Sequence, residues 1–171
     1  MSDKQGDAVP RSEVHALLRR SFAMRAHAYA HIFDVLRERL GETEALAVAM
    51  EATERMGRDM GANFASFGPS DIAGLKDAFL GGIIEGEELF GPEVRKCTSE
   101  GFEIKFHRCP LKEAWQAQGR SDDDLRALCR MAGAIDRGLF ERAGFTFAGA
   151  TWEKGESGCC TLRVLPGPTA R

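Results

Sequence analysis

An α+β fold follows from three patterns in this 171-residue chain. The first half carries apolar residues at helical spacing. The second half holds two pairs of alternating segments around short polar turns, and two helical stretches separate those pairs. The order is N-terminal helices, hairpin, two helices, hairpin, which predicts a small antiparallel sheet covered by helices on one face.

Taken in order, positions 1–10 read as a loose tail and 11–165 as a single domain. From 12 to 40, Val14, Leu17, Leu18, Phe22, Tyr29, Ile32, Phe33, Leu36 and Leu40 follow i, i+3, i+4 spacing, and Gly41 stops the helix. A second helix is expected over 42–64, with Leu46, Ala49, Met56, Met60 and Phe64 as its buried stripe. Pro69-Ser70-Asp71 caps a third over 71–89, where Gly81-Gly82 implies close packing or a kink. Strands are expected over 94–98 and 101–108. A short helix starts at Pro110, a residue favoured at the first helical position because the N–H it lacks has no partner there. Ser121-Asp122-Asp123-Asp124 starts the next helix, with Ser121 as cap and acids at the positive end of the dipole. Two more strands are expected over 144–152 and 158–165. Residues 166–171 read as a second tail.

Composition narrows the class. The chain is 43% hydrophobic and 29% charged, with a formal net charge of −3. That balance and the lack of a basic run argue against nucleic-acid binding, and the apolar runs are too short for a membrane span. The polar start lacks an apolar signal core, so a cytoplasmic protein is expected. The five cysteines are Cys97, Cys109, Cys129, Cys159 and Cys160, with no CxxC pair. They read as free thiols, and Cys97 as structural.

The stretch from His107 to Trp115 carries the chemistry. Phe102, Ile104 and Phe106 alternate as in a strand, and Leu111, Ala114 and Trp115 recur as in a helix. Cys109 therefore falls at a helix N-cap, where unpaired N–H groups favour a thiolate. His107 and Arg108 add nearby positive charge, and Glu113 lies one turn on as a candidate base. The competing reading of Cys109 is a small apolar residue at a strand end. On the following helix Cys129 and Asp136 share an apolar stripe, and an acid there costs free energy unless it has a partner. In the last strand Cys160 falls on the face of Leu162 and Val164 and should point inward, with Cys159 and Arg163 outward. His27 and His31 stand one turn apart and read as surface residues rather than metal ligands.

Several of these segments recur together in one family. Phe106-His107-Arg108-Cys109-Pro110-Leu111-Lys112-Glu113-Ala114-Trp115, then Leu128-Cys129, Asp136, Thr151 with Gly155-Glu156, and Cys160-Thr161-Leu162-Arg163-Val164 resemble the L-2-amino-thiazoline-4-carboxylic acid hydrolase-like family. The match covers the C-terminal half; the N-terminal half agrees in general character, including Gly41-Glu42-Thr43-Glu44-Ala45. The final turn is one residue longer here, so Cys159 competes with Cys160 for the family position. Cys160 is preferred because Leu162, Arg163 and Val164 then match an apolar-Arg-apolar run. Leu162 and Val164 replace phenylalanines, which would open the pocket floor.

The resemblance implies hydrolytic opening of a small cyclic amidine, 2-amino-thiazoline-4-carboxylate, without a cofactor. In that reading Cys109 is the nucleophile and Asp136 holds the amidinium. His107 or Glu113 moves the proton, and Arg108 or Arg163 meets the carboxylate. Cys129 and Cys160 support the site or replace Cys109 as nucleophile. The element order also looks like vinyl-reductase-type ligand-binding domains, which gives the alternative of a non-catalytic module binding a small molecule, or zinc through Cys109, Cys129 and Cys160. Homo-oligomer formation through the N-terminal helices is a further expectation.

Overall fold

The computed structural model describes residues 9–168, so most of the first expected tail and the last residues of the second lie outside it. Its elements run α1 (Arg11–Leu40), α2 (Glu42–Gly61), a 3-10 turn (Ala62–Phe67), α3 (Ile72–Gly81), α4 (Gly86–Leu89), β1 (Pro92–Thr98), β2 (Gly101–Phe106), α5 (Pro110–Ala117), α6 (Asp122–Arg142), β3 (Thr146–Phe147) and β4 (Thr161–Leu165). The four strands form one antiparallel sheet in the order β1-β2-β4-β3. The fold is α+β, as the patterns predict. No helix among the described residues is long and apolar enough to cross a membrane.

Several local expectations hold at atomic detail. Ser121 caps α6 by accepting from the Asp124 N–H, and Asp71 caps α3 by accepting from the Gly74 N–H. The third expected helix breaks at Gly81, giving two shorter helices where the sequence read one. Nothing lies within 4 Å of a Cβ built on Gly81, so the glycine pair marks a break rather than a close packing. The expected strand over 144–152 shrinks to two residues followed by a bridge from Ala150 to Thr161. Past β4 the Gly167 N–H donates to Pro69 O at 2.8 Å, so the described start of the expected C-terminal tail is tied to the body.

Two cores meet along α6. The first joins α1, α2, α5 and the N-terminal part of α6 around Phe33, Trp115, Leu125 and Leu128. The second joins α3, the C-terminal part of α6 and the inner face of the sheet around Leu75, Phe102, Ile104, Phe140 and Leu162. Trp115 is fully buried and donates its indole N–H to Ala26 O on α1 at 2.7 Å, fixing α5 against that helix.

The stripe that α2 buries differs from the expected one. Ala45, Ala49, Thr53, Gly57 and Gly61 face inward at four-residue spacing, while Met56 and Met60 are each 40% exposed. Small side chains let the α2 and α6 backbones approach closely, which large apolar residues would prevent. A Cβ on Gly57 would lie 2.0 Å from Ile135 O, and one on Gly138 2.0 Å from Glu54 O. Thr53 Oγ1 donates to Met131 O across the same seam. On α1 the expected stripe holds at Phe33, which is buried beside Ala26 and Ala30, but Leu17 and Ile32 are more than half exposed.

Replacing glycine by alanine in an ordinary exposed helix adds about 1 kcal/mol of stability. Gly57→Ala and Gly138→Ala are expected to do the opposite here, costing about 2 kcal/mol or more because the new methyl meets backbone that cannot move alone. Urea unfolding of each variant measures the sign.

Candidate functional site

The seam fixes the part of α6 where the two cores join, and there the helix presents Cys129, Ala132, Gly133, Ile135 and Asp136. A cavity of about 390 Å³ opens at that point. Cys109, Cys129, Cys159, Cys160 and Asp136 all line it. Aromatic and aliphatic side chains from both cores supply most of the wall, among them Phe22, Phe90 and Phe106, which meet edge to face at 5.5 and 5.8 Å.

Cys109 is the N-cap of α5, with φ −150° and ψ 113°. Its side chain makes no capping hydrogen bond, but the N–H groups of Lys112 and Leu111 favour its thiolate. Those donors are outweighed by a hydrogen bond to Cys159 and by burial, so the Cys109 pKa rises well above that of a free thiol. Cys129 and Cys160 are raised for the same two reasons, with the bond to Cys159 the larger. Cys159 moves the other way because three thiols, those of Cys109, Cys129 and Cys160, donate to its sulfur. The cluster therefore favours ionisation at Cys159 over the other three thiols.

Cys159 is the first correction to the sequence reading. It is 2% exposed and faces the cavity, with its Sγ 3.3 Å from the Cys160 Sγ, rather than pointing outward. The strict alternation used to orient it applies within a strand, and β4 begins only at Thr161. The preceding Gly158 has φ +76°, which turns the chain and lets both neighbouring sulfurs reach the same space. The loop is clamped on β2: Cys159 N–H donates to Phe106 O and Phe106 N–H to Cys160 O. Two buried lysines complete the clamp, Lys105 donating to Cys159 O at 2.7 Å and Lys112 to Gly158 O.

The other expected residues are placed as follows. His107 is exposed and paired with Glu93 at 2.9 Å. Glu113 does not line the cavity; it lies between Arg108 and Arg19, 3.0 Å from each. Arg108 lines the cavity but is held by Glu113 and by Glu88 O. Arg163 extends from the exposed outer face of the sheet to Glu103 at 2.7 Å, because its strand neighbours Leu162 and Val164 take the inner face. His27, His31 and Cys97 are exposed. Among the described residues no group of three or more His, Cys, Asp or Glu side chains is arranged to hold a metal ion.

Arg25 on α1 is a cavity residue that the sequence reading passed over. It belongs to the run Leu18, Phe22, Arg25, Tyr29, so it is a cation on an apolar stripe, the same kind of anomaly that singled out Asp136. The segment 82–91 walls the cavity beside it and is tied to α1 by Glu85, which pairs with Arg11 and His15 at 2.7 Å each. Those hydrogen bonds hold the Glu85 carboxyl down at about 2.

Asp136 has no hydrogen-bond partner among the described residues, and burial, then the nearby Cys159 charge, pushes its carboxyl up to about 7. An unfolded Asp releases its proton near pH 4. Between the two values the folded protein holds a proton that the unfolded chain has lost, so stability falls as pH rises from about 4 to about 7. Asp136→Asn is expected to remove that loss, gaining on the order of 4 kcal/mol relative to wild type between pH 4 and pH 8. Chemical denaturation of both proteins at the two pH values tests it.

Comparison with known proteins follows the same residues. A crystal structure of a trafficking protein particle complex subunit 3 from Naegleria fowleri, covalently bound to palmitic acid, superposes with a TM-score of 0.49 at 16% identity, covering 88% of this chain and 98% of that one. No curated protein matches the chain. The family model described as L-2-amino-thiazoline-4-carboxylic acid hydrolase matches residues 21–164, a span that includes every cavity cysteine and Asp136. The chain belongs to the L-2-amino-thiazoline-4-carboxylic acid hydrolase family.

Proposed function

We propose that the protein is a hydrolase that opens a small cyclic amidine ring of the 2-amino-thiazoline type through cysteine attack. The observation that carries this reading is the convergence of four thiols and one carboxyl on one cavity of small-molecule size. An amidinium carbon bonded to two nitrogens and a sulfur is an electrophile suited to a soft thiolate. The Asp136 carboxylate suits the amidinium, since a charge-assisted hydrogen bond satisfies both groups in an apolar wall.

Cys109 is the attacking sulfur, because it is less buried than Cys159 and sits at the α5 N-terminus. Its proton passes to the Cys159 thiolate as its bond to the amidine carbon forms. The bond from that carbon to the ring sulfur then breaks, and the ring sulfur leaves as a thiol with the proton from Cys159. The remaining S-linked isothiouronium takes up water, whose proton goes to the Asp136 carboxylate. Cys109 departs with the proton of the new hydroxyl, which leaves a urea, and Asp136 releases its proton to solvent. A carboxyl titrating near 7 suits such a base. His107, Glu113 and Arg163 have no direct step in this scheme. Glu113 instead orients Arg108 at the cavity wall.

Cys109→Ser is expected to abolish opening of 2-amino-thiazoline-4-carboxylate while leaving the thermal midpoint near that of wild type. Turnover that survives the change overturns the assignment. Cys159→Ser is expected to lower kcat by about 10²- to 10⁴-fold, the usual worth of a positioned proton acceptor. Metal analysis separates the non-catalytic alternative: near-stoichiometric zinc lost on replacing Cys109, Cys129 or Cys160, with no turnover, supports that module instead.

A further inference from the structure

Two charged side chains stand on the cavity wall without a partner. Asp136 is one, and Arg25 is the other. The Arg25 Nε is buried and makes no hydrogen bond, and no carboxylate among the described residues lies within ion-pair distance of its guanidinium. The guanidinium instead lies over the Phe22 ring, 4.8 Å from its centroid. Arg108, the other arginine on the wall, has its charge met by Glu113. The two unpaired groups do not pair with each other. A buried, unpaired donor on a cation costs free energy that a ligand anion would recover.

We infer that Arg25 is the specificity-determining residue of this cavity and grips the carboxylate of its ligand. The inference rests on the cyclic-amidine reading for the identity of the substrate, but the anchor itself is a matter of binding. A guanidinium fork matches the two oxygens of a carboxylate. A single arginine neutralises a monoanion, whereas a phosphate dianion would leave net charge against an apolar wall. A cation and an acid on the wall of one cavity suit a zwitterion: the carboxylate goes to Arg25 and the cationic amidine to Asp136. The role assigned from sequence to Arg108 or Arg163 passes to an arginine that neither glutamate occupies. This placement also orients the ring, since the carboxylate end is held on α1 and the amidine end faces α6 and the cysteines.

The test uses two ring-stable probes, 2-aminothiazole-4-carboxylate and 2-aminothiazole, titrated calorimetrically into the full-length protein. Wild type is expected to bind the carboxylate about tenfold or more tightly than the parent ring, the worth of one charged hydrogen-bonded pair. Arg25→Met is expected to erase that preference and leave binding of the parent ring within about twofold. Arg25→Lys keeps the charge without the fork and is expected to fall between, which preserves the test if the methionine variant does not fold. A preference that survives in a folded Arg25→Met protein, or a wild type with no preference, overturns the inference. If Arg25 governs carboxylate binding while the wild type never opens a thiazoline ring, the hydrolase reading fails and the anchor stands. If the ring opens with an unchanged KM in Arg25→Met, the anchor fails and the hydrolase reading stands.

Discussion

The close approach of α2 and α6 is the constraint on which the site depends. Glycine faces backbone at Gly57, Gly61 and Gly138, and no side chain separates the two helices there. With α6 held in that way, the helix serves both cores at once. Its first half packs under α1 and α5 through Leu125 and Leu128, and its second half packs on the sheet through Leu139 and Phe140. Between them Cys129, Ala132, Gly133, Ile135 and Asp136 line the junction, with Thr151 packed against Gly133. Larger apolar residues in place of Cys129, Ala132 and Asp136 would narrow the cavity there.

The charges inside that space set its chemistry. Four thiols in an apolar cavity cannot each ionise, because every added charge meets the last at short range in a poorly solvated medium. An anion on Cys159 is favoured by the neighbouring thiols of Cys109, Cys129 and Cys160. That anion in turn helps push the Asp136 carboxyl toward its neutral form. Burial and that anion together raise the Asp136 carboxyl toward neutral pH.

Much of this arrangement was legible in the sequence, for reasons that particular residues show. Pro110, Ser121 and Asp71 mark helix starts by local chemistry alone, and the structure places all three as read. Cys109 at a strand-to-helix junction and Asp136 on an apolar stripe stand out because each is chemically odd where it falls. The buried stripes of α1 and α2 are legible at Phe33 and Ala49 but not throughout, because periodicity weighted by side-chain size favours Met56, Met60, Leu17 and Ile32. The tight interfaces here are built from Ala26, Ala30, Thr53 and Gly57, which carry little hydrophobic signal. Cys159 was misplaced because strand alternation was extended past the strand's end. Arg25 breaks the stripe between Phe22 and Tyr29, but a long side chain can carry its charge from an apolar stripe to water, so sequence alone does not place it in a cavity. Which charges find partners is a property of three dimensions: Arg108 and Arg163 found theirs in Glu113 and Glu103, and Arg25 did not.

One short stretch of chain does several of these jobs at once. Residues 105–115 deliver Cys109 to the cavity, place Trp115 in the first core and Phe106 in the second, and contribute Lys105 and Lys112. Burying two ammonium groups is costly, and among the described residues each has one carbonyl as hydrogen-bond acceptor, with Lys112 also 4.9 Å from the Trp152 ring centroid. The cost makes sense beside a thiolate. Both lysines hold the loop that carries Cys159, and the Lys112 charge favours the ionised form of Cys129. The two cations thus hold the loop that carries the sulfurs through the Gly158 and Cys159 carbonyls, and the Lys112 charge also acts on Cys129 through space. A neutral residue at either position would keep at most the packing. It would loosen the loop and leave the anion less compensated, so position and ionisation of the cysteines are coupled through the same two side chains.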